Sequence, residues 1–338
     1  MNSRKAAFLA LISHEKKHIK VFLEDWQKKE HPKTKDLALA REIASGTLKR
    51  YLSLKYLILK TQSSLNLSQN QWWLLYSAVY QIHFMDRLPL YAIVNETVEI
   101  AKTSFGVKKA SFFNAFLKRF AKQAPLLESK DFSILYSYPP FFVNKLLSQL
   151  GRKKTKEVLE VQNKVFPLMV RMLTKGSLPA DSKHVFDDVY TVKQVKDSSD
   201  FYVQNGAFVY LMRKLQKIGS IDPKNILDLC AAPGGKTILA HDLYPKAKLF
   251  ANDVSEEKIA LLKKNFQKYQ ISSHLSQVRG ETFTSKQKFD LILLDVPCSN
   301  SGVLHKKVEA RWRLTEKNVE ELNILQKNLI NLNITQVL

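Results

Sequence analysis

Apolar residues recur at helical spacing through the first third of the chain. Ala6, Leu9 and Ile12 begin a short amphipathic pattern, and Pro32 then breaks the chain. A second helical region is predicted from about Asp36 to Lys60, with Ala40, Ile43, Ala44 and Leu48 inward. Trp72, Leu75, Tyr76 and Val79 form a third stripe. Pro89 stands at an N1-like position ahead of a fourth, whose inward residues are Val94, Val98 and Ala101. Ala110 to Lys122 makes a fifth, carrying Phe113, Phe116, Leu117 and Phe120. Residues 1–125 therefore read as an all-α domain, and the aromatic stripes read as core rather than as stacking platforms.

The pattern weakens over residues 126–222. Pro139-Pro140 breaks the chain before a helix from Phe141 to Leu150, and Leu168 to Leu173 reads as a strand. From Asn225 the period switches. Strands are expected near 225–229, 248–252, 276–279 and 290–295, with helices near 236–243 and 255–269. Such alternation implies an α/β domain, doubly wound on a parallel sheet, over residues 223–338.

Asn225 to Thr237 reads N-I-L-D-L-C-A-A-P-G-G-K-T. A short buried strand runs into Pro233, Gly234 and Gly235, and a helix starts at Lys236. That order lets backbone approach a ligand closely and points helix N–H groups at it. A Walker phosphate loop is excluded, because Cys230 stands where its first glycine belongs. Two adjacent glycines do not supply the dinucleotide fingerprint G-x-G-x-x-G. S-adenosylmethionine, a nucleoside joined to an amino acid, needs neither. Asp253 ends the next strand about 20 residues past the glycines, where an acid can accept hydrogen bonds from ribose hydroxyls. The competing reading is an ordinary turn, with Asp253 only helping to cap the helix near Ser255.

Phe289 to Gly302 reads F-D-L-I-L-L-D-V-P-C-S-N-S-G. Asp295 sits at the C-terminal end of a predicted strand, outside which ligands of open parallel sheets bind. Pro297 and Cys298 follow. Thiolate addition to C6 of a pyrimidine makes C5 nucleophilic enough to take a methyl group. The alternative for Cys298 is a small buried hydrophobe.

Taken together, L-D-L-C-A-A-P-G-G-K-T and L-L-D-V-P-C-S-N-S-G resemble the RNA 5-methylcytosine methyltransferases of the RsmB/NOP (Fmu/Sun) family. Val203-Gln204-Asn205, Tyr136-Ser137-Tyr138-Pro139 and Arg311-Trp312 are similar to further family segments. Gly46-Thr47-Leu48, Val94-Asn95-Glu96 and Phe113 to Arg119 resemble the NusB-like domain that precedes the catalytic one in bacterial members. The resemblance implies a NusB-like RNA-binding domain over 1–125, a connecting RNA-binding region over 126–222 and a Rossmann-like methyltransferase domain over 223–338. It implies cofactor contacts from Cys230, Ala231, Ala232, Pro233, Gly234, Gly235, Lys236, Asp253, Glu281 and Asp295. Glu281 replaces the family's usual Asp, and Val308-Glu309 replaces a Pro-Asp pair. Cys298 matches the P-C-S cysteine that assists release of the methylated base. The attacking cysteine of the family lies in a T-C-S triplet on a later strand, and these 338 residues contain no such triplet. The expectation is a C-terminally truncated, catalytically incomplete chain, whose strand at Leu291 to Leu294 is left as a sheet edge. Two chemistries stand behind it: Cys298 as attacker, and a noncatalytic RNA-binding protein.

Composition agrees with a nucleic-acid partner. The formal net charge is +22, which favours a polyanion, and the resemblance makes that polyanion rRNA. Lys108, Lys109, Lys118, Arg119 and Lys122, and the run Arg152 to Lys156, are each either RNA-facing or merely solvated. Two cysteines, both inside motifs, give no disulfide framework and point to a reducing, cytoplasmic setting. Neither has metal-ligand spacing, and no apolar run is long enough for a membrane span. Nothing in the sequence sets the oligomeric state or the target nucleotide.

Overall fold

The computed structural model describes residues 1–173, 176–195, 198–219 and 221–334, with side chains described as far as residue 331. The end of the chain at Leu338, on which the truncation expectation bears, lies outside the described residues. Helices come first: α1 Ser3–Ser13, α2 Ile19–Glu30, α3 Thr34–Lys49, α4 Tyr51–Thr61, α5 Gln69–Phe84, α6 Leu90–Phe105, α7 Val107–Gln123, α8 Phe132–Tyr136 and α9 Pro140–Asn163. Strands β1 Leu168–Met172, β2 Lys183–Phe186, β3 Val189–Val192 and β4 Phe201–Val203 follow, then α10 Gly206–Ile218. The remainder alternates: β5 Asn225–Asp228, α11 Gly235–Leu243, β6 Lys248–Asn252, α12 Glu256–Lys268, β7 His274–Ser276 and β8 Leu291–Leu293, then α13 Val308–Arg313 and α14 Glu316–Ile334. Two compact units result, Met1–Lys164 with Asn300–Glu316, and Val165–Ser299 with Lys317–Leu338.

The helical unit buries the predicted stripes. Ala40, Ile43, Ala44 and Leu48 of α3 share one core with Leu75, Tyr76 and Val79 of α5 and with Phe113, Phe116, Leu117 and Phe120 of α7. Trp72 is only half-buried. The expected single helical region after Pro32 is two helices, broken at Arg50, where φ is −105°. Pro89 is the N-cap of α6 rather than its first helical residue. Ser68 and Gln71 close a reciprocal capping box on α5, which fixes where it starts. In α9 the expected helix runs on to Asn163, across a break at Gly151, whose φ of +70° lies in the left-handed region.

The segment 300–316 is held in this unit by Arg311, which is fully buried. Nη1 donates to the carbonyls of Lys49 (3.0 Å) and Ser137 (2.9 Å). Nη2 donates to Tyr138 Oη (2.7 Å) and Asn163 Oδ1 (3.2 Å), and the guanidinium lies 3.6 Å from the centre of the Tyr138 ring. Burial lowers its pKa to about 10, so it stays charged at neutral pH. Trp312 follows it into the helical core, its Nε1 donating to Leu48 O at 2.7 Å.

In the second unit, β2-β3-β1-β4 is an antiparallel sheet and β7-β6-β5-β8 a parallel one. In register, Ile226 pairs with Leu249 on one side and Leu291 on the other. The parallel sheet packs Ile226, Leu249 and Leu293 against Ile238 and Leu239 of α11 and Leu262 of α12. On its other face Leu227, Leu229 and Phe289 meet Leu325 and Leu329 of α14. Among the described residues β8 pairs with β5 alone and so forms an edge.

The third parallel strand lies at 274–276, short of the expected 276–279. Beyond Ser276 a side chain takes over the pairing. Asn252 Nδ2 donates to Val278 O (2.9 Å), and Val278 N donates to Asn252 Oδ1 (3.1 Å).

Arg311→Ala should destabilise the helical unit by roughly 3–5 kcal/mol, because it leaves a cavity and orphans four acceptors. Trypsin should then cut within 305–313 of the folded protein, a cleavage resisted by wild type. Arg311→Lys should not restore protection, since an ammonium cannot span the same fork. Limited digestion followed by mass spectrometry checks this.

Candidate active site

The strand order reverses between β5 and β8, and ligands of such sheets bind outside the strand ends at that switch point. The loop after β5 and the loop after β8 both emerge there. Pro233 is exposed and follows a cis peptide bond, while Gly234 and Gly235 are buried. Gly234 has φ +104°, and a Cβ on it would come 2.9 Å from Phe266; one on Gly235 would come 2.7 Å from Tyr202. Both positions thus demand glycine. Gly235 opens α11, and its carbonyl accepts from Gln204 Nε2 at 2.9 Å. Gln204 Oε1 in turn accepts from Nε of the buried Arg171, which also pairs with Asp242. The V-Q-N segment therefore braces the glycine turn from the antiparallel sheet.

Three carboxylates gather round the turn. Asp228, at the end of β5, is fully buried; its Oδ2 accepts from Thr237 Oγ1 (2.7 Å), while Oδ1 has no partner among the described residues. Burial pushes its pKa up to about 7, the Thr237 bond and Lys236 oppose the rise, and Asp295 and Asp253 add to it. Asp253 is 4% exposed; its Oδ2 accepts from Ala232 N (3.1 Å) and its Oδ1 from Lys258 Nζ (2.9 Å) and Val254 N. The helix cap at α12 is made by Ser255, so Asp253 ties the strand end to the glycine loop instead. Asp295 is exposed and pairs with Lys236 Nζ, which lies 4.8 Å from the centre of the Phe208 ring.

Cys230 is half-buried, and burial pushes its pKa up to about 11, with the three carboxylates adding to the rise. It is a thiol at neutral pH, unsuited to attack. Ala231 is buried and Ala232 half-buried, and both hold the turn through backbone bonds: Ala231 N donates to Asn252 O at 2.9 Å. Cys298 is exposed, three residues beyond Asp295. Glu281 lies in a single turn of 3₁₀ helix after β7, and its carboxyl is held below the usual range by its own backbone N–H and by Arg279.

Asp228, Asn252 and Lys258 were not singled out from the sequence. Asp228 stands inside the quoted motif, yet its burial depends on β5 being central in the sheet. Asn252 carried no signal beyond its place before Asp253.

A helical domain followed by a Rossmann-like domain, with its loops converging at the switch point, sets the architecture. Residues 218–338 match the family described as 16S rRNA methyltransferase RsmB/F, and residues 1–122 match the NusB family. The chain thus carries a NusB-family domain at its start and an RsmB/F methyltransferase-family domain over residues 218–338. It is 28% identical over 328 residues to the ribosomal RNA small subunit methyltransferase B of Klebsiella pneumoniae, across 88% of this chain and 74% of the relative. The protein of the same name from Yersinia pseudotuberculosis is 27% identical over 321 residues, with the same coverage. The crystal structure of PH0851 shares the fold, with a TM-score of 0.73 at 20% identity, over 97% of this chain and 81% of that one.

The raised pKa of Asp228 has a signed consequence. Between about pH 4 and pH 7 the folded state keeps a proton that the unfolded chain releases, so this group's contribution to stability falls as pH rises. Asp228→Asn lacks that fall. The Tm difference, variant minus wild type, should grow from pH 4 to pH 7 and then level off. A difference independent of pH, measured by calorimetry, would show that Asp228 is ionised throughout.

Proposed function

We propose that this chain serves S-adenosylmethionine-dependent methylation of cytosine C5 in small-subunit rRNA. The observation that carries the reading is the gathering of Asp228, Asp253 and Asp295 round the glycine turn, with Cys298 three residues beyond. A polyphosphate does not suit that field, since the charge of Lys236 is already matched by Asp295. A ligand with its own cationic centre does, since it would favour the ionised form of Asp228, whose Oδ1 has no partner among the described residues. S-adenosylmethionine, when bound, supplies an electrophilic methyl group on a sulfonium cation.

The residues that would hold it are the loop Cys230, Ala231, Ala232, Pro233, Gly234, Gly235 and Lys236, with Asp253 accepting from ribose hydroxyls. Glu281 would border the adenosine side and Asp295 the transfer site. Thr237 and Asp228 fix the first turn of α11 from below. On the RNA side, a thiolate adding to cytosine C6 would make C5 nucleophilic, C5 would bond to the methyl group that the cofactor supplies, and loss of the C5 proton with expulsion of the thiolate from C6 would restore the ring. Cys298 assists that release. The 338 residues contain no T-C-S triplet, and on this reading the chain by itself does not complete the transfer.

Calorimetry with S-adenosylmethionine should show one site, weakened about tenfold by Asp253→Ala as charged hydrogen bonds are lost. Unchanged binding in that variant would remove Asp253 from the ribose role. Incubated with undermethylated small-subunit rRNA and labelled cofactor, the 338-residue protein should transfer no methyl group. Efficient transfer that Cys298→Ser abolishes would make Cys298 the attacker. In cells lacking the protein, an unchanged 5-methylcytosine pattern in small-subunit rRNA would count against the substrate.

A further inference from the structure

The helical unit contains a cavity of about 580 Å³ that the catalytic reading does not use. Its walls include Tyr51, Trp72, Trp73, Tyr76 and Trp312, and one cation, Lys55, and one carboxylate, Glu15, also line it. The stripe on α5 read as core from the sequence, and Leu75, Tyr76 and Val79 are core. Trp72 is not: it is half-buried and stacks on Tyr76, centroids 5.2 Å apart and planes 26° apart. Tyr51 meets Trp312 edge-on at 5.2 Å and lies tilted against Trp73 at 5.6 Å.

We propose that this cavity takes one unpaired base of a single-stranded RNA. Rings in both face and edge orientation offer a base a stacking platform and a wall. The volume falls within the range of pockets that enclose small ligands. The site is preformed, because Trp312 is pinned by its bond to Leu48 O and by the burial of its neighbour Arg311. Lys55 is exposed and brings an ammonium for a flanking phosphate. A polyanion is favoured over an apolar protein side chain by the net charge of +22. The proposal rests on the reading that the chain acts on RNA. It adds a base-holding subsite built jointly by the NusB-family helices and the segment that follows the P-C-S motif.

The chain has four tryptophans, and three of them line the cavity, while Trp26 is buried apart from it. Intrinsic fluorescence of the unmodified protein therefore reports on the site. A short single-stranded oligoribonucleotide should quench it. A strand of the same length without bases should quench far less and bind roughly tenfold more weakly. Trp72→Leu should weaken binding of the ordinary strand by a similar factor and leave its salt dependence unchanged. Lys55→Gln should weaken binding of both strands and lower the salt slope by about one. Both variants should keep the wild-type Tm and the same affinity for S-adenosylmethionine. Equal binding of the two strands by wild type, or equal binding of the ordinary strand by wild type and Trp72→Leu, would overturn the proposal. Those outcomes would leave methyl transfer to rRNA untouched, whereas failure of the wild type to bind any RNA would overturn the RNA reading itself.

Discussion

Arg311 is a cation buried with no carboxylate partner among the described residues, and the segments round it in the helical unit answer that constraint. A guanidinium taken out of water must find acceptors for its N–H groups or the fold loses several kcal/mol. Here the acceptors come from four separate places: the end of α3, the Ser137 turn, the Tyr138 ring and hydroxyl, and the end of α9. Two are backbone carbonyls at a helix end and a turn, left over from helix pairing, and two are side-chain oxygens, the Tyr138 hydroxyl and the Asn163 amide. Arg50 and Lys49 stand close enough for their charges to be felt. The pKa of Lys49 falls to about 8, from burial first and then from Arg311 and Arg50. Like charges are therefore held together by neutral dipoles, and the Ser137 backbone bends into the left-handed region to help supply them.

The second unit solves the opposite problem. One of its buried ionisable groups is Asp228, and its relief comes from Thr237 and from the cation of Lys236. Asp253 avoids that difficulty by collecting two backbone N–H groups and Lys258. Two aspartates at neighbouring strand ends thus sit in different electrostatic states, one short of partners and one well supplied. The difference lies in the partners each carboxyl finds rather than in the strands, since β5 and β6 are both interior to the sheet.

The motifs at 225–237 and 289–302 were legible because glycine, proline and short apolar runs encode a strand, a turn and a helix start within a few residues. The fold class followed from the change of period. What escaped depended on partners distant in sequence. Helix α2 rests on Ile19, Leu23 and Trp26, too sparse to stand out between charged residues. Of the antiparallel sheet only β1 was foreseen, because its other strands are three or four residues long and β2 carries a register shift against β3. The third parallel strand was misplaced because a side-chain amide, Asn252, can mimic a strand's donor and acceptor. That 300–316 belongs with the helices could not be read locally, since its anchors, Arg311 and Trp312, bond to residues distant in sequence.

The brace from Arg171 through Gln204 to Gly235 has a bearing on how such proteins are assembled from modules. The RsmB/F match begins at residue 218, yet the side chain that holds the Gly235 carbonyl comes from residue 204, and the arginine that orients it comes from residue 171. The boundary drawn by sequence similarity cuts through a set of bonded side chains. A graft of the matched segment onto a foreign helical domain would carry the glycine turn without the residues that set its shape. The unit that shapes the glycine turn begins near residue 165, where the compact unit begins, and includes the small antiparallel sheet that supplies Arg171.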